Sequence, residues 1–317
     1  MPPRSVPPDP AAFEQWLQAQ PGFEAARVRS LRAVDGGASN ITCRVDLASA
    51  ATPAVALRLQ RDRGIFEPYA VLREGEVLRK LKPAAIPVPA VLFEEPGPSP
   101  LGAPFLVLEW VDAPHMGEAG ADADFGAYVA MVAAIHEADW GGLGLAEVLP
   151  LPGSPRAACL DEVDAVAARM AAFVPGGDPL LRQAHARLRE AAPGDGDLRL
   201  CQGDINVFNY LFRGGQVVAV VDWEQARIGD CRSDIGQLVA LAHLKGAPYG
   251  PADAQPFVQA YGMASGRPLS GMAWFRAFWL WQLAVIHHGW VAFNGTEPWY
   301  TRSQVYELLD AALAEVS

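Results

Sequence analysis

The chain has 317 residues, half of them hydrophobic, and its 36 acidic against 25 basic side chains give a formal net charge of −11. That length accommodates one large or two medium domains, and an acidic balance with no Lys/Arg-rich run argues against nucleic acid or an anionic membrane surface as partner. The four cysteines, Cys43, Cys159, Cys201 and Cys231, have neither a C-x-x-C spacing nor histidines arranged with them as zinc ligands, so reduced thiols in a cytoplasmic protein are expected.

The opening M-P-P-R-S-V-P-P-D-P lacks the apolar segment of a secretory signal. Asp9-Pro10 followed by Phe13, Trp16 and Leu17 predicts an N-capped helix that ends at Pro21-Gly22. From Val28 the pattern shortens to β runs at 28–34, 41–47 and 54–60, the first two joined by D-G-G-A-S-N. A glycine pair between strands makes a turn, and in a nucleotide site it also lets backbone N–H groups approach phosphates closely. Residues 69–81 have helical spacing, with Val71, Leu78 and Leu81 on one face and Glu74 falling on that same face. A carboxylate there wants a cation, whereas Glu76 lies among Arg73, Arg79 and Lys80, where surface pairing accounts for it. I-P-V-P-A-V-L introduces further β structure, a P-G-P-S-P-L-G loop covers 96–102, and 105–111 reads as an apolar strand running into Asp112-Ala113-Pro114. Helices fit 122–140, 159–173 and 179–191. On the first of these, His136 shares a stripe with Phe125, Val129 and Val132 and is expected to be a hydrogen-bonded core or helix-end residue.

The densest chemistry lies in 200–234, L-C-Q-G-D-I-N-V-F-N-Y-L-F-R-G-G-Q-V-V-A-V-V-D-W-E-Q-A-R-I-G-D-C-R-S-D. Two apolar, β-prone runs, 210–212 and 217–221, flank Arg213-Gly214-Gly215-Gln216, which predicts a β-hairpin. An antiparallel hairpin sets its start beside its end, so Asn209 and Asp222 come together, with Asp204 on the loop leading in. A few hard oxygen ligands with room for water suit Mg²⁺ and its phosphate partners better than a closed zinc cage. Beyond Asp222, Ser233 or Asp234 would cap an apolar helix over 235–244. The last quarter is aromatic (Trp274, Phe275, Phe278, Trp279, Trp281, Trp290, Phe293, Trp299, Tyr300), and at helical spacing most such side chains are core. Its longest apolar run, 277–286, is too short to span a bilayer.

G-D-x-x-x-x-N at 203–209, the hydrophobic-D-W-E at 221–224 and G-D-x-x-x-D at 229–234 resemble the catalytic core of the aminoglycoside phosphotransferase-like (choline kinase-like) family, distant relatives of the protein kinases. The resemblance spans roughly 28–300 and implies an α+β, bilobal protein-kinase-like fold: a small β-rich lobe at 1–111 and a larger, mainly helical lobe at 112–317. It implies that Asp204 orients an acceptor hydroxyl and takes its proton, that Asn209 and Asp222 hold Mg²⁺, and that Asp234 braces the catalytic loop through its backbone. Gly36, Gly37, Ser39 and Asn40 match the family's loop over the ATP phosphates. Arg58 stands where the fold carries its phosphate-binding lysine, with Glu74 as its ion-pair partner. The adenine would meet backbone between Glu109 and Val111. One branch, including kinase-like domains fused to acyl-CoA dehydrogenases, shows L-R-R at the Arg58 position and a pattern similar to W-F-R-A-F-W-L-W-Q-L-A-V-I, although arginine is more usual where Gln282 stands. Gln202 departs from the family's histidine.

The resemblance implies an ATP- and Mg-dependent phosphotransferase acting on a hydroxyl of a small molecule, such as a hydroxyacyl or other metabolite, with Trp281, Gln282, His287 and His288 as candidate pocket residues. The alternatives are a nucleotide-binding module without phosphotransfer, which Gln202 and Arg58 motivate, and an antibiotic-modifying kinase.

Overall fold

Asp9 accepts a hydrogen bond from the Ala11 N–H at 3.0 Å and Pro10 opens the helix, which together start α1 (Pro10–Gln18) in the computed structural model. The structure describes residues 8–34, 39–48, 51–97, 100–120, 123–244, 254–267 and 269–316. The chain divides into two compact units. One gathers residues up to Lys82 together with Val88–Asp112, and the other holds Pro83–Pro87 and everything from Ala113 onward.

In the first unit, β1 (Val28–Ala33), β2 (Ile41–Leu47), β3 (Ala54–Leu59), β4 (Val91–Glu95) and β5 (Phe105–Glu109) form an antiparallel sheet in the order β1-β2-β3-β5-β4. The strand period of two sorts the side chains. Val55, Leu57 and Leu59 of β3 join Cys43, Val45, Phe105 and Val107 in a core completed by Phe13 and Leu17 of α1. Arg58, one residue out of phase with that core-facing set, is available to α2 (Val71–Leu81). This helix lies so close to β5 that a side-chain carbon on Gly75 would come within 2.8 Å of Leu106 Cδ2. The strand expected over 105–111 ends at Glu109.

The second unit contains α3 (Met116–Ala119), α4 (Phe125–Glu137), α5 (Pro155–Phe173), α6 (Pro179–Glu190), β6 (Leu198–Cys201), β7 (Tyr210–Arg213), β8 (Gln216–Val220), β9 (Arg227–Asp230), α7 (Arg232–His243), α8 (Gln255–Ser265), α9 (Met272–Asn294) and α10 (Arg302–Glu315). Asp124, Ser154, Asp178 and Thr301 accept N-terminal backbone N–H groups of α4, α5, α6 and α10. Helix α9 runs through the apolar core, where Trp274, Phe275, Phe278 and Trp281 are buried among residues of α5, α6, α7 and α10. The hairpin β7–β8 pairs Tyr210 with Val220 and Arg213 with Gln216, and the Val220 N–H reaches the Pro87 carbonyl at 2.8 Å.

Strands β6 and β9 pair antiparallel, Leu198 with Asp230 through Cys201 with Arg227. The sequence did not suggest them, because runs of four residues are too short for alternation to stand out. Helix α7 begins at Arg232 after Cys231, so Asp234 lies in its first turn and neither Ser233 nor Asp234 is the cap. The division into a β-sheet unit and a larger helical unit is the α+β architecture that the resemblance implied. Among the described residues no helix is long and apolar enough to cross a membrane.

Candidate active site

The loop between β6 and β7 carries Asp204, and its path is set at Gly203. Gly203 has φ +87°, and a side-chain carbon there would sit 2.3 Å from the Gln225 carbonyl oxygen. The loop is then tied down at each step. The Tyr128 hydroxyl donates to the Ile205 carbonyl. Asn206 Oδ1 accepts the Phe208 N–H at 2.9 Å and caps the short 3₁₀ turn Val207–Asn209. The Asn209 carbonyl accepts the Val221 N–H at 2.9 Å, which closes the mouth of the hairpin.

Around the half-buried Asp204 three amides converge. Oδ2 accepts from Asn206 Nδ2 at 2.7 Å and from Asn209 Nδ2 at 2.9 Å, and Oδ1 accepts from Gln237 Nε2 at 2.7 Å. Burial, reinforced by the negative charge of Asp222 and only partly offset by the three amides, pushes the Asp204 carboxyl up to about 6. Asn209 Nδ2 also donates to the Asp204 carbonyl at 2.9 Å. Both of those partners are acceptors, so the orientation of the amide is dictated, and Oδ1 is the atom it offers to a cation.

Asp222 follows β8 with φ +61°, the left-handed region that a non-glycine residue occupies only when its surroundings hold it there. Gln202 does the holding. Its Nε2 donates to the Val221 and Asp222 carbonyls, both at 3.0 Å, while its Oε1 is buried without a partner among the described residues. The departure from histidine thus keeps a donor aimed at the backbone of Asp222.

Behind the loop, Asp234 Oδ2 accepts the Gln202 N–H at 2.9 Å and the Gly203 N–H at 3.3 Å. His136 Nε2 donates to the same oxygen at 3.3 Å, its Nδ1 meets the Tyr261 hydroxyl at 2.7 Å, and Arg227 reaches Asp234 Oδ1 at 3.1 Å. Burial alone would raise the Asp234 pKa, but Arg227 and His136 outweigh it and hold the carboxyl below its usual range. Arg227 also pairs with Glu162 of α5 at 3.2 Å.

In the first unit, Arg58 Nε lies 2.8 Å from Glu74 Oε2, with both side chains buried, and Arg58 also donates to Thr42 Oγ1 at 3.3 Å. Ser39 and Asn40 are buried just before β2, and Asn40 Oδ1 accepts the Arg61 N–H at 3.4 Å. Gly36 and Gly37 lie outside the described residues. Glu109, exposed at the end of β5, donates its backbone N–H to the Ala90 carbonyl at 2.8 Å, and Val111 follows just beyond the strand.

The candidate acceptor-pocket residues fare differently. Trp281 is fully buried in the helical core and Gln282 is buried beside it. His287 pairs with Glu297 at 3.2 Å and His288 with the Tyr306 hydroxyl at 2.8 Å, and burial holds both imidazoles below their usual range. Asn206 and Gln237 were not singled out from the sequence. The signal for Gln237 was its spacing of three from Asp234 on α7, which puts the two on one helix face.

Asn209 Oδ1 and the Asp222 carboxylate are two hard oxygen donors, and among the described residues no cluster of three His, Cys, Asp or Glu forms a self-sufficient metal cage. That donor set fits an ion that brings water and phosphate oxygens as its remaining ligands, as Mg²⁺ does.

The model of the APH phosphotransferase enzyme family matches residues 30–278. Among solved structures, a candidate aminoglycoside phosphotransferase from Ralstonia eutropha JMP134 is 22% identical over 97% of this chain and 96% of its own, with a TM-score of 0.68. A thermostable mutant of aminoglycoside phosphotransferase APH(4)-Ia, in ternary complex with AMP-PNP and hygromycin B, is 16% identical over 96% and 98%, with a TM-score of 0.66. A macrolide 2'-phosphotransferase type I is 19% identical over 98% and 99%, with a TM-score of 0.61. At these identities the likeness is one of fold. No curated protein matches the chain.

Proposed function

Because the chain belongs to the phosphotransferase enzyme family across residues 30–278, we propose that it transfers the γ-phosphate of ATP to a hydroxyl of a small molecule, in the presence of Mg²⁺. The observation that carries this reading is the Asp204 carboxylate held by amides, with its pKa pushed up to about 6, beside an Asn209 oriented to offer Oδ1 and the left-handed Asp222. Mg²⁺ held by Asn209 Oδ1 and the Asp222 carboxylate would neutralise charge on the β- and γ-phosphates. Asp204 aligns the acceptor hydroxyl and takes its proton. Arg58, fixed by Glu74, meets the α- and β-phosphates as a planar, permanently charged donor. The loop of Gly36, Gly37, Ser39 and Asn40 covers the phosphates. The base pairs with backbone in the 109–111 stretch, using groups other than the Glu109 N–H, which is already spent on Ala90. The four cysteines are all buried free thiols, which suits the reducing cytoplasm.

A nucleotide-binding module without transfer loses its main support, because Gln202 keeps a donor on the Asp222 backbone. For the acceptor, a hydroxyacyl compound or another metabolite is the favoured class. The hygromycin B and macrolide kinases among the structural neighbours put an antibiotic hydroxyl second.

The test is ADP release with Mg·ATP across a panel of alcohols that includes hydroxyacyl thioesters, hygromycin B and a macrolide. Asp204→Ala is expected to lower turnover roughly 10²–10⁴-fold, about 3–5 kcal/mol, with nucleotide affinity little changed. Full turnover by that variant would sink the mechanism.

A further inference from the structure

Gln237 has been given no role of its own in the mechanism above, yet it is the residue of α7 that bonds the Asp204 side chain. It is buried, and its amide spans two loop groups: Nε2 donates to Asp204 Oδ1 at 2.7 Å, and Oε1 accepts the Ile205 N–H at 2.9 Å. A backbone N–H can only donate and a carboxylate can only accept, so the amide has one possible orientation. The two oxygens of Asp204 are left unequal. Oδ2 receives two donors, Asn206 Nδ2 and Asn209 Nδ2, which fill both of its lone-pair directions. Oδ1 receives one donor, from Gln237, among the described residues.

We propose that Gln237 is a positioning residue that fixes the rotation of the Asp204 carboxylate and makes Oδ1, with its one remaining lone pair, the atom that meets the acceptor hydroxyl. The inference rests on the reading of Asp204 as the proton-accepting group. In the transfer the acceptor oxygen forms a bond to the γ-phosphorus while the bond from that phosphorus to the β,γ-bridging oxygen breaks. ADP leaves with that electron pair, and the acceptor proton passes to Asp204 Oδ1. Without Gln237 the carboxylate keeps its Oδ2 anchors but can swing Oδ1 about them, and positioning is most of what this chemistry asks of a protein.

A purely structural role is the competing account, since the same amide anchors the loop through Ile205. Gln237→Leu removes both hydrogen bonds. Gln237→Glu keeps the acceptor for the Ile205 N–H and replaces the donor to Asp204 with a like charge. The full-length protein, Gln237→Leu, Gln237→Glu, Asp204→Ala and the double variant Asp204→Ala/Gln237→Leu are compared by ADP release with Mg·ATP at pH 8, water serving as acceptor, with thermal melting as the check on folding. Both Gln237 variants are expected to lose about tenfold to a hundredfold in kcat with KM for ATP nearly unchanged, and the double variant to be no slower than Asp204→Ala alone. Wild-type kcat in Gln237→Glu beside a slow Gln237→Leu would overturn the proposal in favour of loop anchoring. So would additive losses in the double variant. No ADP release by the unaltered protein, or release undiminished in Asp204→Ala, would instead remove the reading on which the inference rests.

Discussion

The loop that carries Asp204 has two faces built on opposite electrostatic plans. In front, Asp204 is held by Asn206, Asn209 and Gln237, three neutral amides, and a second carboxylate, Asp222, stands close by. Behind, Asp234 is held by Arg227, His136 and two backbone N–H groups. Burial works against ionisation at both. In front the described partners are amides and a second carboxylate, and the carboxyl is pushed up to about 6, whereas behind a guanidinium overrules burial and the carboxyl is pulled down. Amides can fix where a carboxylate points without neutralising its charge. Cations fix position and charge together. An acid that must exchange a proton needs the first kind of support, and a brace needs the second.

Breaking the rear face should have the largest effect on stability. Asp234→Ala leaves Arg227, His136 and the Gln202 and Gly203 N–H groups without their acceptor and is expected to cost about 3–5 kcal/mol, read as a lowered Tm at pH 7. The sign with pH follows from the depressed folded pKa. The contribution of Asp234 is complete above about pH 4, where the carboxylate of an unfolded chain ionises, and it is lost as pH falls through the lower folded value. The gap between variant and unaltered protein should therefore close in melts recorded below about pH 4.

The next largest effect sharpens the link between the faces. Gln202→Leu removes both hydrogen bonds that hold the backbone at Asp222, and turnover with Mg·ATP should fall by about one to two orders of magnitude, for about 1–3 kcal/mol. Gln202→His, which also carries a donor, should keep most of the activity. Equal losses in both variants would mean that the donor is not what matters.

The smallest effect concerns the second carboxylate in front. Asp222→Asn removes the like charge beside Asp204 and puts in a residue that tolerates φ +61°, so stability in magnesium-free buffer should rise by about 0.5–1 kcal/mol while magnesium-dependent turnover is lost. A fall in denaturant midpoint would show that Asp222 is not under electrostatic strain.

Much of this was legible in the residues. The hairpin could be read because 210–212 and 217–221 are apolar runs around a Gly-Gly turn, and its antiparallel closure sets Asn209 against Val221, the residue before Asp222. Helical phase singled out Glu74 rather than Glu76, and the structure pairs Glu74 with Arg58. What stayed hidden has two causes. Strands β6 and β9 are too short for periodicity to register, and they find each other across the hairpin inserted between them. Gln237 and Asn206 carry no charge and match no strong local pattern, and the contact from Gln237 to Asp204 bridges 33 positions. His287 and His288, by contrast, are conspicuous in sequence. In the structure they hydrogen-bond to Glu297 and the Tyr306 hydroxyl.

The first two turns of α7 join the two faces, with Asp234 gripping the loop from behind and Gln237 from the front, three residues apart. The arrangement is therefore written in a count as much as in letters. Substituting either residue removes one grip, but inserting a single residue between them would turn Gln237 about 100° around the helix and carry it off the loop while leaving both side chains intact. Over evolutionary time this stretch should accept changes of spelling far more readily than changes of length.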